Sequence, residues 1–189
     1  MLTRAEFFRA LTGIGAILRF RPDAFGFFDT TLNGFWKSFW AAAFAAPVWL
    51  LLVIRHMSAA QSEAPLRYLS LQTIAYAISW LAFPLLMVRI SRFLDRSERY
   101  FSYMVAYNWF QMAQSIAWIP VLFFADNANG TPSEAIRFLW LVINGALFAY
   151  GWFIARRGLQ IPGGNALALV LIDFLLGLII DGVTDSLAQ

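Results

Sequence analysis

Asp173 is the residue in this sequence whose type and setting are most suited to chemistry. It stands in the middle of the apolar run NALALVLIDFLLGLIIDGV, with Leu, Val, Ile and Phe around it. A carboxylate at the centre of a membrane helix costs about 2.5–3.5 kcal/mol on a translocon-type scale. Such a group is paired, protonated or in contact with water. No Lys or Arg lies at the same depth, so the chain offers no salt bridge. The expectation is a largely neutral acid facing the interior of a helix bundle. There it either serves as a proton or cation site or ties helices together by hydrogen bonds.

Polar residues at similar depth are the candidate partners. Asn144 is central in its own apolar segment, and the loop to the Asp173 segment is short, which makes it the expected neighbour. Tyr103, Tyr107, Gln111, Gln114 and Trp118 recur at helical spacing on one face, with Asn108 off that stripe. Gln72, Tyr76 and Ser79 do the same on another segment (i, i+4, i+7). Polar stripes facing lipid are costly, so both should point inward. They would line a polar cavity or act as interhelical glue, at about 0.6 kcal/mol per bond on average.

Other chemistries lack their residues. With no Cys there is no disulfide framework, thiolate metal site or thiol nucleophile. His56 is the only histidine and has no carboxylate or Cys company for a metal. No Gly-x-Ser-x-Gly elbow, His-Glu-x-x-His pair or phosphate-cradling Gly loop is present, so no catalytic residue, metal or cofactor is expected. An intramembrane enzyme would need a second catalytic group beside Asp173, and no other Asp, Glu or His lies at that depth.

The elements that must position these residues follow from composition. The chain is 60% hydrophobic and 13% charged, half the charge of an ordinary soluble domain, and its mean hydropathy is +0.64. That excludes a water-soluble globule and a disordered chain. A bilayer core about 30 Å thick needs roughly 20 apolar residues. Five stretches are candidates: about Trp36–Ile54, Tyr68–Val88, Phe101–Phe124, Ile136–Ile154 and Asn165–Val183. Lipid offers no hydrogen bonds, so each should be a helix. The expected fold is therefore all-α: a polytopic bundle of about five transmembrane helices over residues 36–189. Thr131-Pro132-Ser133-Glu134 reads as a capping box opening the fourth span, and Pro47, Pro84 and Pro120 should kink or end their helices.

Residues 1–35 are expected to form an amphipathic interfacial helix followed by an aromatic linker. On a helical wheel Phe7, Phe8, Leu11, Ile14 and Leu18 share one arc, with Glu6, Arg9, Thr12 and Arg19 opposite. Eleven of the fourteen basic residues fall on one side of a five-span chain: Arg4, Arg9, Arg19, Arg21, Lys37, Arg89, Arg92, Arg96, Arg99, Arg156 and Arg157. Only Arg55, Arg67 and Arg137 fall on the other. The bias places the N-terminus in the cytoplasm and the C-terminus outside, in the plasma (inner) membrane if the source is bacterial. Of these, Arg4, Arg9, Arg19, Arg89, Arg92, Arg96, Arg99, Arg156 and Arg157 are expected to contact anionic lipid headgroups. Nucleic acid is not an expected partner.

The five-span count, cytoplasmic amphipathic N-terminus and short loops resemble the layout of Yip1-type membrane proteins. That resemblance implies a role in membrane organisation or trafficking. The family's Asp-Leu-Tyr-Gly-Pro pattern has no counterpart here; the nearest segment is Arg21-Pro22-Asp23-Ala24-Phe25-Gly26. The blocks Gly34-Phe35-Trp36-Lys37-Ser38-Phe39-Trp40 and Ala106-Tyr107-Asn108-Trp109 are similar to segments of small bacterial multi-span proteins. Neither resemblance supplies a catalytic residue.

Two functions are left to weigh. One is a non-enzymatic protein that organises the membrane or packs as a subunit of a larger complex, as a homo-oligomer or with other membrane chains. The other is a small transporter or channel component using Asp173 and the polar stripes. A closed, cavity-free Asp173 favours the first, and a cavity holding Asp173 and the stripes favours the second. The charge bias also makes a direct prediction. A reporter active only in the cytoplasm is silent when fused after Gln189 and active when inserted near Arg96. An active C-terminal fusion overturns the five-span topology.

Overall fold

A polar chain segment can lie inside a membrane only if its neighbours shield it, and one helix of this protein is shielded on every side. The computed structural model describes residues 2–59, 64–120 and 133–188. Among these the helices are α1 (Arg4–Ile17), α2 (Leu32–Ser38), α3 (Trp40–Ala59), α4 (Pro65–Phe93), α5 (Tyr100–Ala117), α6 (Glu134–Gly158) and α7 (Gly163–Ala188). Short 3-10 turns at Pro22–Phe27 and Ser97–Arg99 complete them, and no strand occurs among the described residues. The protein is an all-α membrane helix bundle.

Four segments have the length and apolarity of a membrane span: Leu32–Met57, which joins α2 to α3, and α4, α6 and α7. The expected third span, about Phe101–Phe124, is represented by α5, which has 18 residues and a Tyr-, Asn- and Gln-bearing sequence. Residues 121–124 of that stretch lie outside the described residues. Tyr103 through Phe110 are all buried. Eight successive buried positions cover more than two turns, so α5 has no outward face along this stretch. It packs against α1, α2, α3, α4 and α6, while α7 packs on α4 and α6.

Local chemistry ends and starts the helices. Thr3 and Glu6 form a reciprocal capping box on α1: the Glu6 amide donates to Thr3 Oγ1 (3.2 Å) and the Thr3 amide to Glu6 Oε2 (2.8 Å). For α6 the expected cap is corrected. Ser133, not Thr131, is the cap, accepting from the Ile136 amide at 3.3 Å. Glu134 is then the first helical residue, where its charge favours the helix dipole instead of closing a box. Thr131 and Pro132 lie outside the described residues. Helices α1, α4 and α6 finish alike. Phe20, Asp95 and Gln160 take positive φ (53–54°). The next amide donates five residues back: Arg21 to Ala16, Arg96 to Ser91 and Ile161 to Arg156. This is the Schellman closure, with non-glycine residues in the left-handed position.

All three closures lie at one end of the bundle. Arg96 Nε donates to Gln160 O (3.4 Å), joining the α4–α5 turn to the α6–α7 turn. Tyr150 Oη donates to Leu18 O (3.2 Å), joining α6 to the end of α1. A Cβ on Gly158 would lie 3.0 Å from Tyr103 Cα, so the end of α6 meets the start of α5 at a distance only glycine allows comfortably. The basic residues of the N-terminus and of both turns therefore gather at this end. At the opposite end Arg67 Nη2 donates to Leu187 O (2.7 Å), tying the start of α4 to the last turn of α7.

Packing divides the apolar arc expected on α1. Ile14 is buried together with Ala10, Ala16 and Ile17, and the Phe7 ring sits 4.8 Å from Phe44 and 5.9 Å from Trp109. Phe8 (64% exposed) and Leu18 (46%) point away from the protein. The helix thus docks on α5 and α6 with part of its arc, instead of presenting the whole arc to lipid. Ala10, Ile14, Ala24, Phe28 and Phe35 join the same core as α5, so the first 35 residues share the bundle's interior.

Lys37 Nζ meets Glu6 Oε1 at 2.6 Å and locks α1 to α2. The ammonium and the cap hydrogen bond hold the Glu6 carboxyl down at about 2, from an ordinary 4.5. A carboxyl lowered on folding contributes stability above its unfolded value and loses it as pH falls through the folded one. The advantage of wild type over Glu6→Gln in thermal melting is therefore full above pH 4.5 and disappears toward pH 2. An advantage that does not change across this range shows that the pair is not linked to folding.

Candidate functional site

The Asp173 carboxyl meets a phenol, not a base. Tyr107, buried on α5, donates its hydroxyl to Asp173 Oδ1 at 2.7 Å. One turn further along α5, Gln111 Nε2 donates to the same Tyr107 oxygen, also at 2.7 Å. Amide, phenol and carboxyl thus form a directed chain across the bundle, each donor aimed toward Asp173. Such chains polarise one another and orient the acceptor. The described hydrogen bonds engage Oδ1 and leave Oδ2 open, and Asp173 itself is only half-buried.

The half-burial has a cause. Asp173 borders a cavity of about 320 Å³ between α5, α6 and α7. The whole α5 stripe (Tyr103, Tyr107, Gln111, Gln114 and Trp118) lines it, as do Ser79 and Asn144. A second hollow of about 230 Å³ lies toward α3 and is lined by Trp49 and Tyr76. It shares Ser79, Gln111, Gln114 and Trp118 with the first. The α5 stripe is the partition between the two.

Two expected placements are corrected. Asn144 borders the cavity, but its Nδ2 donates to Trp140 O on its own helix (2.8 Å) and does not bind Asp173. A short amide side chain in a helix readily turns back to the carbonyl four residues earlier, and equal depth does not ensure equal azimuth. The α4 stripe is also split. Ser79 and Tyr76 reach the hollows, whereas Gln72 donates to Tyr68 Oη on its own helix (3.2 Å) and lines neither. The Tyr76 hydroxyl donates to Ala42 O at 2.6 Å. That is next to the Ala43 carbonyl, whose helical donor Pro47 removes.

Other residues of the site escape the sequence reading. Asp181 also lines the cavity. Its spacing from Asp173 through Gly177 (i, i+4, i+8) places all three on one helix face, a signal present in the sequence. Phe83, Phe148 and Phe174 also line the cavity. Nothing local distinguishes them from the other phenylalanines. Asn108 does different work: it is fully buried and donates to Ser38 Oγ (2.8 Å), which donates to Phe35 O (2.7 Å). This relay pins α5 to α2.

The expected headgroup contacts form a separate surface at the basic end. Arg4, Arg9, Arg19, Arg89, Arg92, Arg156 and Arg157 are exposed there, and Arg96 and Arg99 are half-buried. Arg156 lies 5.0 Å over the Trp152 ring, a cation–π pose that keeps its stem against the protein.

No protein family, curated protein or solved structure matches the chain.

Tyr107→Phe removes the donor to Asp173 and should destabilise the purified protein by roughly 0.6–1.7 kcal/mol, the range of interhelical bonds in membranes. Asp173→Asn keeps an acceptor and should cost less. Asp173→Leu strands the phenol and should cost about 1–3 kcal/mol. Unfolding in mixed micelles measures all three. If the Phe and Leu variants both match wild type, the pair is not part of the bundle's stability.

Proposed function

We propose that this protein is a non-enzymatic small transporter or channel component working through Asp173. The carrying observation is the cavity that holds Asp173, Asp181 and the α5 polar stripe in a bundle otherwise walled by apolar helices. A helix bundle that needed Asp173 only as glue would close around it. Here one carboxyl oxygen accepts from Tyr107, and Asp173 lines open space. In that low-dielectric setting a carboxylate attracts a proton or cation far more strongly than in water. Tyr107 and Gln111 hold the carboxyl in one orientation while the solute comes and goes. Asp181, two turns along the same face of α7, extends the acidic lining toward the opposite end from the basic cluster.

The proposed orientation is N-terminus cytoplasmic, with the basic end against anionic headgroups. Inverted-repeat transporters build their pathway from two matched halves. A bundle of this size would complete its pathway with a second copy or another subunit.

A second reading, a membrane-organising protein or structural subunit, is favoured by one observation. Gly145 and Ala149, a small-xxx-small pair on α6, are exposed, and a Cβ on Gly145 would meet nothing within 4 Å.

Reconstitution separates the two readings. Wild-type liposomes should dissipate an imposed proton or potassium gradient, and Asp173→Asn should abolish the flux while the protein stays folded. Silent wild-type liposomes, together with a stable co-purifying subunit, overturn the transport reading in favour of the structural one.

A further inference from the structure

The chemistry of the cavity walls points to a class of solute. Among the described residues two carboxyls, Asp173 and Asp181, line it, and no Lys or Arg does. Aromatic rings stand among the aliphatic side chains of the remaining wall. Phe83 lies against Tyr107 (ring centroids 4.8 Å), Tyr103 lies 6.0 Å from Tyr107, and Phe148 and Phe174 pair at 5.2 Å. We infer that the cavity is a binding site for a small organic cation, an alkylammonium or quaternary ammonium compound, held by Asp173 between these two groups of rings. This assignment rests on the Asp173 cavity being the working site.

Size and coordination argue for an organic cation over a metal ion. A hard divalent cation takes six or more oxygen ligands, and among the described residues no group of three or more His, Cys, Asp or Glu converges on a point. A volume of about 320 Å³ is far larger than a bare ion needs. An organic ammonium brings its own apolar shell, so it loses little hydration on entering an aromatic site. Its positive charge is attracted both by ring quadrupoles and by a single half-buried carboxylate. The carboxyl is aimed for this role: Tyr107 donates to Oδ1, and Oδ2 is left for the ligand. Phe174 is 41% exposed, so the aromatic wall continues to the outer surface of the bundle and gives an amphiphilic cation a route from the membrane.

The test uses the full chain in neutral detergent, choline chloride, and 3,3-dimethylbutan-1-ol, the uncharged isostere of choline. Binding is read by isothermal titration and by the shift in melting temperature. Choline should bind, and the isostere should bind at least about tenfold more weakly, as expected when a charge-specific interaction is lost. Asp173→Asn should weaken choline by about tenfold or more and leave the isostere unchanged. Phe148→Leu, which keeps the carboxyl, should weaken choline by roughly three- to tenfold. Cooperative melting of each variant confirms that it is folded. Equal affinity for choline and its isostere, or full choline affinity in Asp173→Asn, overturns the assignment. An Asp173-dependent potassium or proton flux without choline binding overturns the organic-cation assignment alone and leaves the transport reading standing. Asp173-dependent choline binding in liposomes that carry no flux supports the assignment and overturns the transport reading.

Discussion

Hydrocarbon cannot hydrogen-bond, and α5 is the helix that this constraint governs most. Its Tyr, Asn and Gln side chains would be costly against lipid, and it is not among the four segments with the length and apolarity of a span. The bundle resolves this by enclosing it. Asn108 Nδ2 donates to Ser38 on α2, and Tyr107 donates to Asp173 on α7. The Tyr100 hydroxyl donates to Pro84 O on α4 (3.1 Å). Each bond ties the central helix to a different neighbour. The outer helices can then be almost uniformly apolar, as their exposed Leu, Ile and Phe side chains attest.

The two ends of the bundle are built differently. At the basic end, three helices stop by the same Schellman closure, and α1 is clamped by a capping box, an ion pair and ring contacts. Phe20 stacks on Tyr150 at 4.8 Å and meets Phe153 edge-on. This end is therefore a firm platform carrying exposed arginines. At the opposite end Arg67 bonds to Leu187 O, and the His56 and Tyr68 rings stack at 6.0 Å. The cavity lies toward that end, along the acidic face of α7.

Within the cavity, position and chemistry reinforce one another. A lone acid in lipid is a liability, but this one has an oxygen bonded to Tyr107 and borders a hollow. The donors that hold it come from a helix that is itself immobilised on all sides. Packing thus gives the Asp173–Tyr107–Gln111 chain a rigid back wall.

Much of this was legible in the residues alone. Composition and apolar run length determine a membrane helix bundle, because hydrophobic length must match bilayer thickness. Helical spacing determines that Tyr103, Tyr107, Gln111, Gln114 and Trp118 share a face, because 3.6 residues per turn is a local property. The isolation of Asp173 in an apolar run marks it as the residue to explain. Which helix faces it is a different matter. Tyr107 and not Asn144 meets Asp173 because azimuth and side-chain reach depend on how α5, α6 and α7 pack, and no local pattern encodes that. The same holds for the cavity, for the loss of Gln72 from the inward stripe, and for the gathering of Phe83, Phe148 and Phe174 at the cavity that Asp173 lines. The division of the α1 arc between protein and exterior is likewise tertiary: amphipathicity shows that a face must be covered, and packing alone decides by what.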